Sequence, residues 1–284
     1  MNKRIAVVGG GTMGAGIAEV CARSGSDVVI IEFDDAGIER CRQTIESSLA
    51  RGVRAGRISE QDTEGARERL TVTTEMSAAR DADLVVEAVP EIESLKLDLF
   101  RRLDAVVQPE AILASNTSSI PLVKMASVTN RPDRVVGIHF FNPVPVLPLV
   151  EIVASLLTSE DTISSATDLA ENQLGKTTIR SQDRAGFIVN ALLIPYLLSA
   201  IRMLESGFAT AEDIDAGMVR GCAHPQGPLA LTDLIGLDTT AAVAQSMYEE
   251  FKEPLYAPPP MLLRMVEAGL LGRKTGRGFF PYGA

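Results

Sequence analysis

A doubly wound, mostly parallel α/β domain followed by a smaller all-helical domain is the fold class predicted by this 284-residue sequence. Three observations carry it. From Arg4 to about Arg180, short β-branched runs alternate with longer helical patterns, the rhythm of a parallel sheet covered by helices on both faces. Several of the short runs, such as Asp83-Leu-Val-Val-Glu87, are apolar through their centres, as a strand buried on both faces requires. After Asp183 the strand signal stops, and apolar residues recur at helical spacing between Gly and Pro punctuation. The expected division is 1–184 for the sheet domain and 185–284 for the helical one.

In chain order the predicted strands are Arg4–Val8, Asp27–Glu32, Leu70–Thr73, Asp83–Ala88, Ala111–Ser115, Arg134–Phe140, Leu149–Val153 and Thr177–Ile179. Helical spacing then covers Gly186–Glu205, Thr210–Val219, Leu229–Ile235, Thr239–Phe251 and Met261–Ala268. The long apolar stretch Phe187 to Leu204 reaches membrane-span length. It contains Asn190, Pro195 and Arg202, however, and reads as a buried helix that Pro195 kinks near Ala191.

Composition narrows the function. Apolar residues are 46% and charged residues 23%, enough for a sizeable core. A net charge of −10 repels phosphate backbones and anionic bilayers, so neither nucleic acid nor membrane is an expected partner. Cys21, Cys41 and Cys222 lie far apart and form no CxxC pair, which argues against a disulfide framework and a metal site. A reducing cytoplasm fits best. The apolar run at the N-terminus stops at Gly9, too short for an export signal.

The turn Gly9-Gly-Gly-Thr-Met-Gly14 follows the first strand and opens a helical pattern. Gly9 permits the tight turn, Gly11 lets backbone approach a pyrophosphate, and Gly14 lets helix pack on strand, with Thr12 and Met13 at the helix N-terminus. The next strand ends at Glu32, 18 residues after Gly14, where a carboxylate can accept both ribose hydroxyls of an adenosine. These two signals together make the domain Rossmann-type. Glu32 would repel a ribose 2′-phosphate, and Phe33, Asp34 and Asp35 supply no cation, so NAD is expected over NADP.

The chain has two histidines, His139 and His224. In a doubly wound sheet the ligand lies beyond the carboxyl ends of the strands. His139, at the end of its strand, is therefore placed at the crevice with Ser115, Asn116, Thr117 and Ser118, while His224 reads as structural. Glu151, in the next strand, is either a partner that fixes the imidazole tautomer or an ordinary strand-edge charge; spacing leaves both open.

Six segments together resemble the short-chain L-3-hydroxyacyl-CoA dehydrogenases: Ser115-Asn-Thr-Ser-Ser119, Gly137-Ile-His-Phe-Phe-Asn-Pro143, Val150-Glu-Ile152, Gly186-Phe-Ile-Val-Asn190, His224-Pro-Gln-Gly-Pro228 and Gly272-Arg-Lys-Thr-Gly-Arg-Gly-Phe279. The likeness runs from Arg4 to the C-terminus and is nearest to stand-alone bacterial 3-hydroxybutyryl-CoA dehydrogenases, with nothing left over for a fused hydratase domain. It implies that His139 is the base for the 3-hydroxyl proton, Glu151 its partner, Ser118 a hydrogen-bond donor to the same oxygen, and Asn190 a substrate contact from the helical domain. For the cofactor it implies Glu32 at the adenosine ribose, Glu91 and Lys96 along the nicotinamide half, Asn142 near the nicotinamide, and Lys274 closing over it.

An acyl-CoA substrate needs cations for its phosphates. Residues 40–57 hold Arg40, Arg42, Arg51, Arg54 and Arg57 against the single carboxylate Glu46. That segment resembles the helical arm that receives CoA in the family, with Ser48 nearby; a solvated helix face is the alternative reading. Ala191 stands where members commonly carry arginine. The resemblance also implies a homodimer through the C-terminal helices. The expected activity is NAD-linked interconversion of a 3-hydroxyacyl-CoA, with 3-hydroxybutyryl-CoA first, and its 3-oxoacyl-CoA. The rivals are a dehydrogenase of a free hydroxy acid or sugar acid, and a non-catalytic nucleotide-binding protein.

Overall fold

A computed structural model describes residues 3–283. The chain divides into two compact units, Met1–Asp183 and Arg184–Ala284.

The first unit is built on one eight-stranded sheet: β1 (Arg4–Val8), β2 (Asp27–Ile31), β3 (Leu70–Thr73), β4 (Leu84–Glu87), β5 (Ile112–Ser115), β6 (Val135–Phe140), β7 (Leu149–Ala154) and β8 (Thr177–Gln182). Its order is β3-β2-β1-β4-β5-β6-β7-β8. Every predicted strand forms, with ends shifted by at most three residues. The pairs from β3 to β6 are parallel; β7 runs antiparallel to β6, and β8 parallel to β7. The helices are α1 (Thr12–Arg23), α2 (Asp35–Arg54), α3 (Glu60–Glu68), α4 (Glu93–Val106), α5 (Leu122–Ala126) and α6 (Glu160–Asp168).

Local chemistry explains the elements that frame the crevice. All four residues of β4 are buried, which accounts for its unbroken apolar pattern up to Glu87. In α2, Cys41, Ile45, Leu49 and Gly52 fall on one buried stripe at helical spacing, leaving the arginines on the opposite, wet face. Asp34 starts that helix by accepting the Gly37 N–H at 2.6 Å. Helix α1 is buried from Gly14 to Ala22, and a side chain at Gly14 would overlap the Gly9 carbonyl oxygen.

The second unit holds α7 (Val189–Glu205), α8 (Ala211–Gly221), α9 (Pro228–Ile235), α10 (Leu237–Phe251) and α11 (Pro260–Glu267). Its core includes Ile194, Leu198, Ile201, Leu229, Leu237, Met247 and Leu262. Pro195 lies inside α7 without ending it. The expectation of a buried helix holds for one face only: Ile194, Leu197, Leu198 and Ile201 are enclosed, while Leu192 is 75% exposed. Two buried carboxylates tie the unit together. Asp215 accepts the N–H groups of Leu229 and Ala230, both at 2.9 Å, and so caps α9. Asp233 accepts Phe279 N–H, Phe280 N–H and the Tyr282 hydroxyl, each at 2.9 Å, and anchors the C-terminal segment. Among the described residues no helix is long and apolar enough to cross a membrane.

Candidate active site

The reversal of β7 decides the geometry. His139 on β6 lies directly opposite Glu151 on β7, and directly opposed side chains of an antiparallel pair share one face of the sheet. His139 Nδ1 sits 2.7 Å from Glu151 Oε2. Of the two readings left open for Glu151, the partner of the imidazole is the one the register selects. Glu151 is fully buried and His139 is 4% exposed. On the other side of the ring, Nε2 lies 3.0 Å from Ser118 Oγ, and Phe141 packs its ring edge-on at 4.7 Å between centroids. Glu151, His139 and Ser118 thus form one hydrogen-bonded row.

Ser118 stands on a loop fixed by carboxylates. Glu91 Oε1 accepts the N–H of Ser118 and of Ser119, both at 3.1 Å, and also the hydroxyls of Thr117 and Ser119. Burial pushes the Glu91 carboxyl up, but the Lys96 ammonium and these hydroxyls outweigh it and hold the group below the usual carboxylate range. Asn116 Oδ1 accepts the Phe140 N–H at 2.9 Å, which ties the same loop to the end of β6. Glu87, at the end of β4, accepts the Ser115 hydroxyl and the Lys96 ammonium, each at 2.6 Å. Lys96, one of the residues expected along the nicotinamide half, joins Glu87 to Glu91. Its Nζ lies between Glu87 and Glu91 Oε2, 3.0 Å away from the latter, and 1% of the side chain is exposed. Glu87 escaped notice as a functional residue. The one signal for Glu87 was a charge ending an otherwise apolar strand, since a buried carboxylate there demands a cation or donors.

The glycine turn lies at the carboxyl end of β1. Gly9 has φ +92°, and a Cβ there would come within 2.8 Å of the Ala88 carbonyl oxygen. In front of Gly11 a Cβ would meet nothing within 4 Å, and α1 has no side-chain cap at its N-terminus, so its first N–H groups stay available to an anion. Thr12 is exposed and Met13 half-buried beside this opening. Glu32 Oε1 accepts the Gly10 N–H at 2.7 Å, placing the carboxylate against the turn with lone pairs to spare for ribose hydroxyls. An open glycine, an uncapped helix start and this acceptor fit a dinucleotide.

The remaining predicted residues lie elsewhere. Asn142 is exposed on the β6–β7 connection, three residues beyond His139. Arg51 and Arg54 occupy the last turn of α2 and Arg57 follows it; all three are exposed, and none forms a salt bridge among the described residues. Ser48 is half-buried on the same helix. Asn190 is in the first turn of α7, in the helical unit. Lys274 of that unit is held by both oxygens of Asp238 at 2.6 Å. His224 has its Nδ1 3.1 Å from the Tyr196 hydroxyl.

Comparison with known proteins agrees over the whole chain. The family model for the NAD-binding domain of 3-hydroxyacyl-CoA dehydrogenase matches residues 4–184, and that for the C-terminal domain matches 186–282. The Mycobacterium tuberculosis 3-hydroxybutyryl-CoA dehydrogenase is 55% identical over 281 residues, covering 99% of this chain and 98% of that protein. The human mitochondrial hydroxyacyl-coenzyme A dehydrogenase is 41% identical over 287 residues, covering 99% and 91%. Among solved structures, M. tuberculosis FadB2 superposes with a TM-score of 0.98 at 55% identity, covering 99% of each chain. The (S)-3-hydroxybutyryl-CoA dehydrogenase PaaH1 of Ralstonia eutropha gives 0.93 at 43% identity and covers both chains fully. The chain belongs to the 3-hydroxyacyl-CoA dehydrogenase family and is an NAD-dependent oxidoreductase.

Proposed function

We propose that this enzyme interconverts L-3-hydroxybutyryl-CoA and acetoacetyl-CoA, with His139 as the general acid and base. The single observation that carries this reading is the row Glu151–His139–Ser118, with contacts of 2.7 and 3.0 Å. A secondary alcohol is too weak an acid to lose its proton unaided, so carbon-bound hydride can depart only as a base takes the hydroxyl proton. His139 Nε2 takes that proton, while Glu151 holds the Nδ1 proton and favours the imidazolium that results. In the other direction the imidazolium returns the proton as the Ser118 hydroxyl stabilises charge developing on the oxygen. Bound NAD supplies the hydride acceptor.

The other roles follow the family resemblance. Residues 1–184 bind the dinucleotide, with Gly9, Gly11, Thr12, Met13 and Gly14 at the pyrophosphate, Glu32 at the ribose, and Glu91, Lys96, Ser118 and Asn142 as further contacts, joined by Lys274 of the helical unit. Residues 185–284 carry Asn190 toward substrate and form a homodimer. The dimer is supported by apolar side chains that the helical unit leaves in water, including Leu192 at 75%, Phe208 at 78% and Met203 at 40% exposure. Ser48, Arg51, Arg54 and Arg57 receive CoA, supported by three exposed guanidinium groups that form no salt bridge among the described residues. Three free thiols, two of them buried, and bacterial relatives favour the cytoplasm.

The test is NADH oxidation followed by absorbance, with acetoacetyl-CoA against free acetoacetate. Turnover confined to the thioester is expected. Equal use of the free acid would replace this reading with a free hydroxy-acid dehydrogenase, and tight NADH binding without turnover on any acyl-CoA would leave a nucleotide-binding protein.

A further inference from the structure

Phe33 is 95% exposed, the highest value among the large exposed apolar side chains of the described residues. Its main chain is held from both sides. Its N–H donates to Glu32 Oε2 at 3.2 Å, and the next residue, Asp34, caps α2 through the Gly37 N–H at 2.6 Å. Glu32 in turn binds the glycine turn through the Gly10 N–H at 2.7 Å. The first unit buries none of this ring, so the fold gains no hydrophobic stabilisation from it. An aromatic ring standing in water on a fixed backbone, one residue beyond a carboxylate that faces a dinucleotide groove, has the features of a binding face rather than of a packing residue.

We propose that Phe33 stacks on the adenine ring of bound NAD and recognises it by its π-face. The inference rests on assigning Glu32 to the adenosine ribose. Adjacent Cα atoms are about 3.8 Å apart, and adenine is bonded to the ribose that Glu32 would hold, so the neighbouring ring is within reach of the base. Stacking of this kind tolerates changes of base, because every purine presents a π-face. The enzyme should therefore accept a dinucleotide in which hypoxanthine replaces adenine, and Phe33 should contribute equally to both.

The experiment is calorimetry on the full chain with ADP-ribose, its hypoxanthine analogue, and nicotinamide mononucleotide, comparing wild type, F33A, F33W and E32A. F33A is expected to weaken ADP-ribose and its hypoxanthine analogue by the same factor, about tenfold. F33W should restore affinity to within about twofold, since indole also stacks. Nicotinamide mononucleotide, which lacks the base, should not distinguish F33A from wild type. The proposal is overturned if F33A binds ADP-ribose as wild type does, or if the loss is as large for the mononucleotide. It is also overturned if F33A changes only the oligomeric state, which would assign the ring to a second copy of the chain. E32A separates the two assignments: normal ADP-ribose binding by E32A removes the ribose role, whatever F33A does.

Discussion

Buried carboxylates occur in both units, and their partners differ. In the sheet unit Glu151 faces the His139 imidazole, a group that can gain or lose a proton, and Glu87 faces the Lys96 ammonium. In the helical unit Asp215 takes two backbone N–H groups, and Asp233 takes two more plus the Tyr282 hydroxyl. All four carboxylates are at most 9% exposed, so burial alone does not tell them apart. What separates them is the partner. A carboxylate satisfied by main-chain donors fixes the path of the chain; one satisfied by an ionisable group can change state with it.

This contrast is broken most directly at His139. H139Q should lower turnover by roughly a hundredfold or more with NADH binding retained, measured by steady-state kinetics and fluorescence titration. E151Q should follow, losing roughly tenfold to a thousandfold, because the amide no longer favours the imidazolium. Near-normal turnover in either variant would move the pair to the structural class.

The opposite pattern is expected at Asp215. D215A strands two N–H groups at the start of α9 and should cost about 2–4 kcal/mol in denaturant unfolding, with turnover per folded molecule unchanged. The triple variant R51Q/R54Q/R57Q should raise KM for acetoacetyl-CoA by about 3- to 30-fold at low salt. The difference from wild type should shrink as salt is added, because exposed charges are screened. The smallest effect concerns Glu91. Folding lowers its pKa, so its contribution to stability is complete above the unfolded carboxylate value and is lost as pH falls through the lowered one. Unfolding of wild type and E91Q should therefore differ most near neutrality and converge as pH falls through and below the ordinary carboxylate range.

Much of this was legible along the chain, for reasons particular residues make plain. The buried runs of β1 and β4 must be apolar because helices cover both faces, and the glycine turn must be bare where Gly9 passes the Ala88 carbonyl. His139 could be placed at the crevice because it ends a strand. The surroundings of Lys96 could not be read, because they are Glu87 and Glu91, and which carboxylates an ammonium meets depends on what packs around it. The exposed face of α7 was likewise hidden, since Leu192 and Leu198 read alike in a sequence while one lies in water and the other in the core.

The order of residues by itself determined where strands and helices form and which side chains stand at strand ends, because periodicity and glycine requirements are local. Only the tertiary structure decided that Glu151 serves His139. Their twelve-residue separation becomes a 2.7 Å contact because β7 turns back antiparallel to β6, and strand direction is set by packing across the whole sheet rather than by either strand alone.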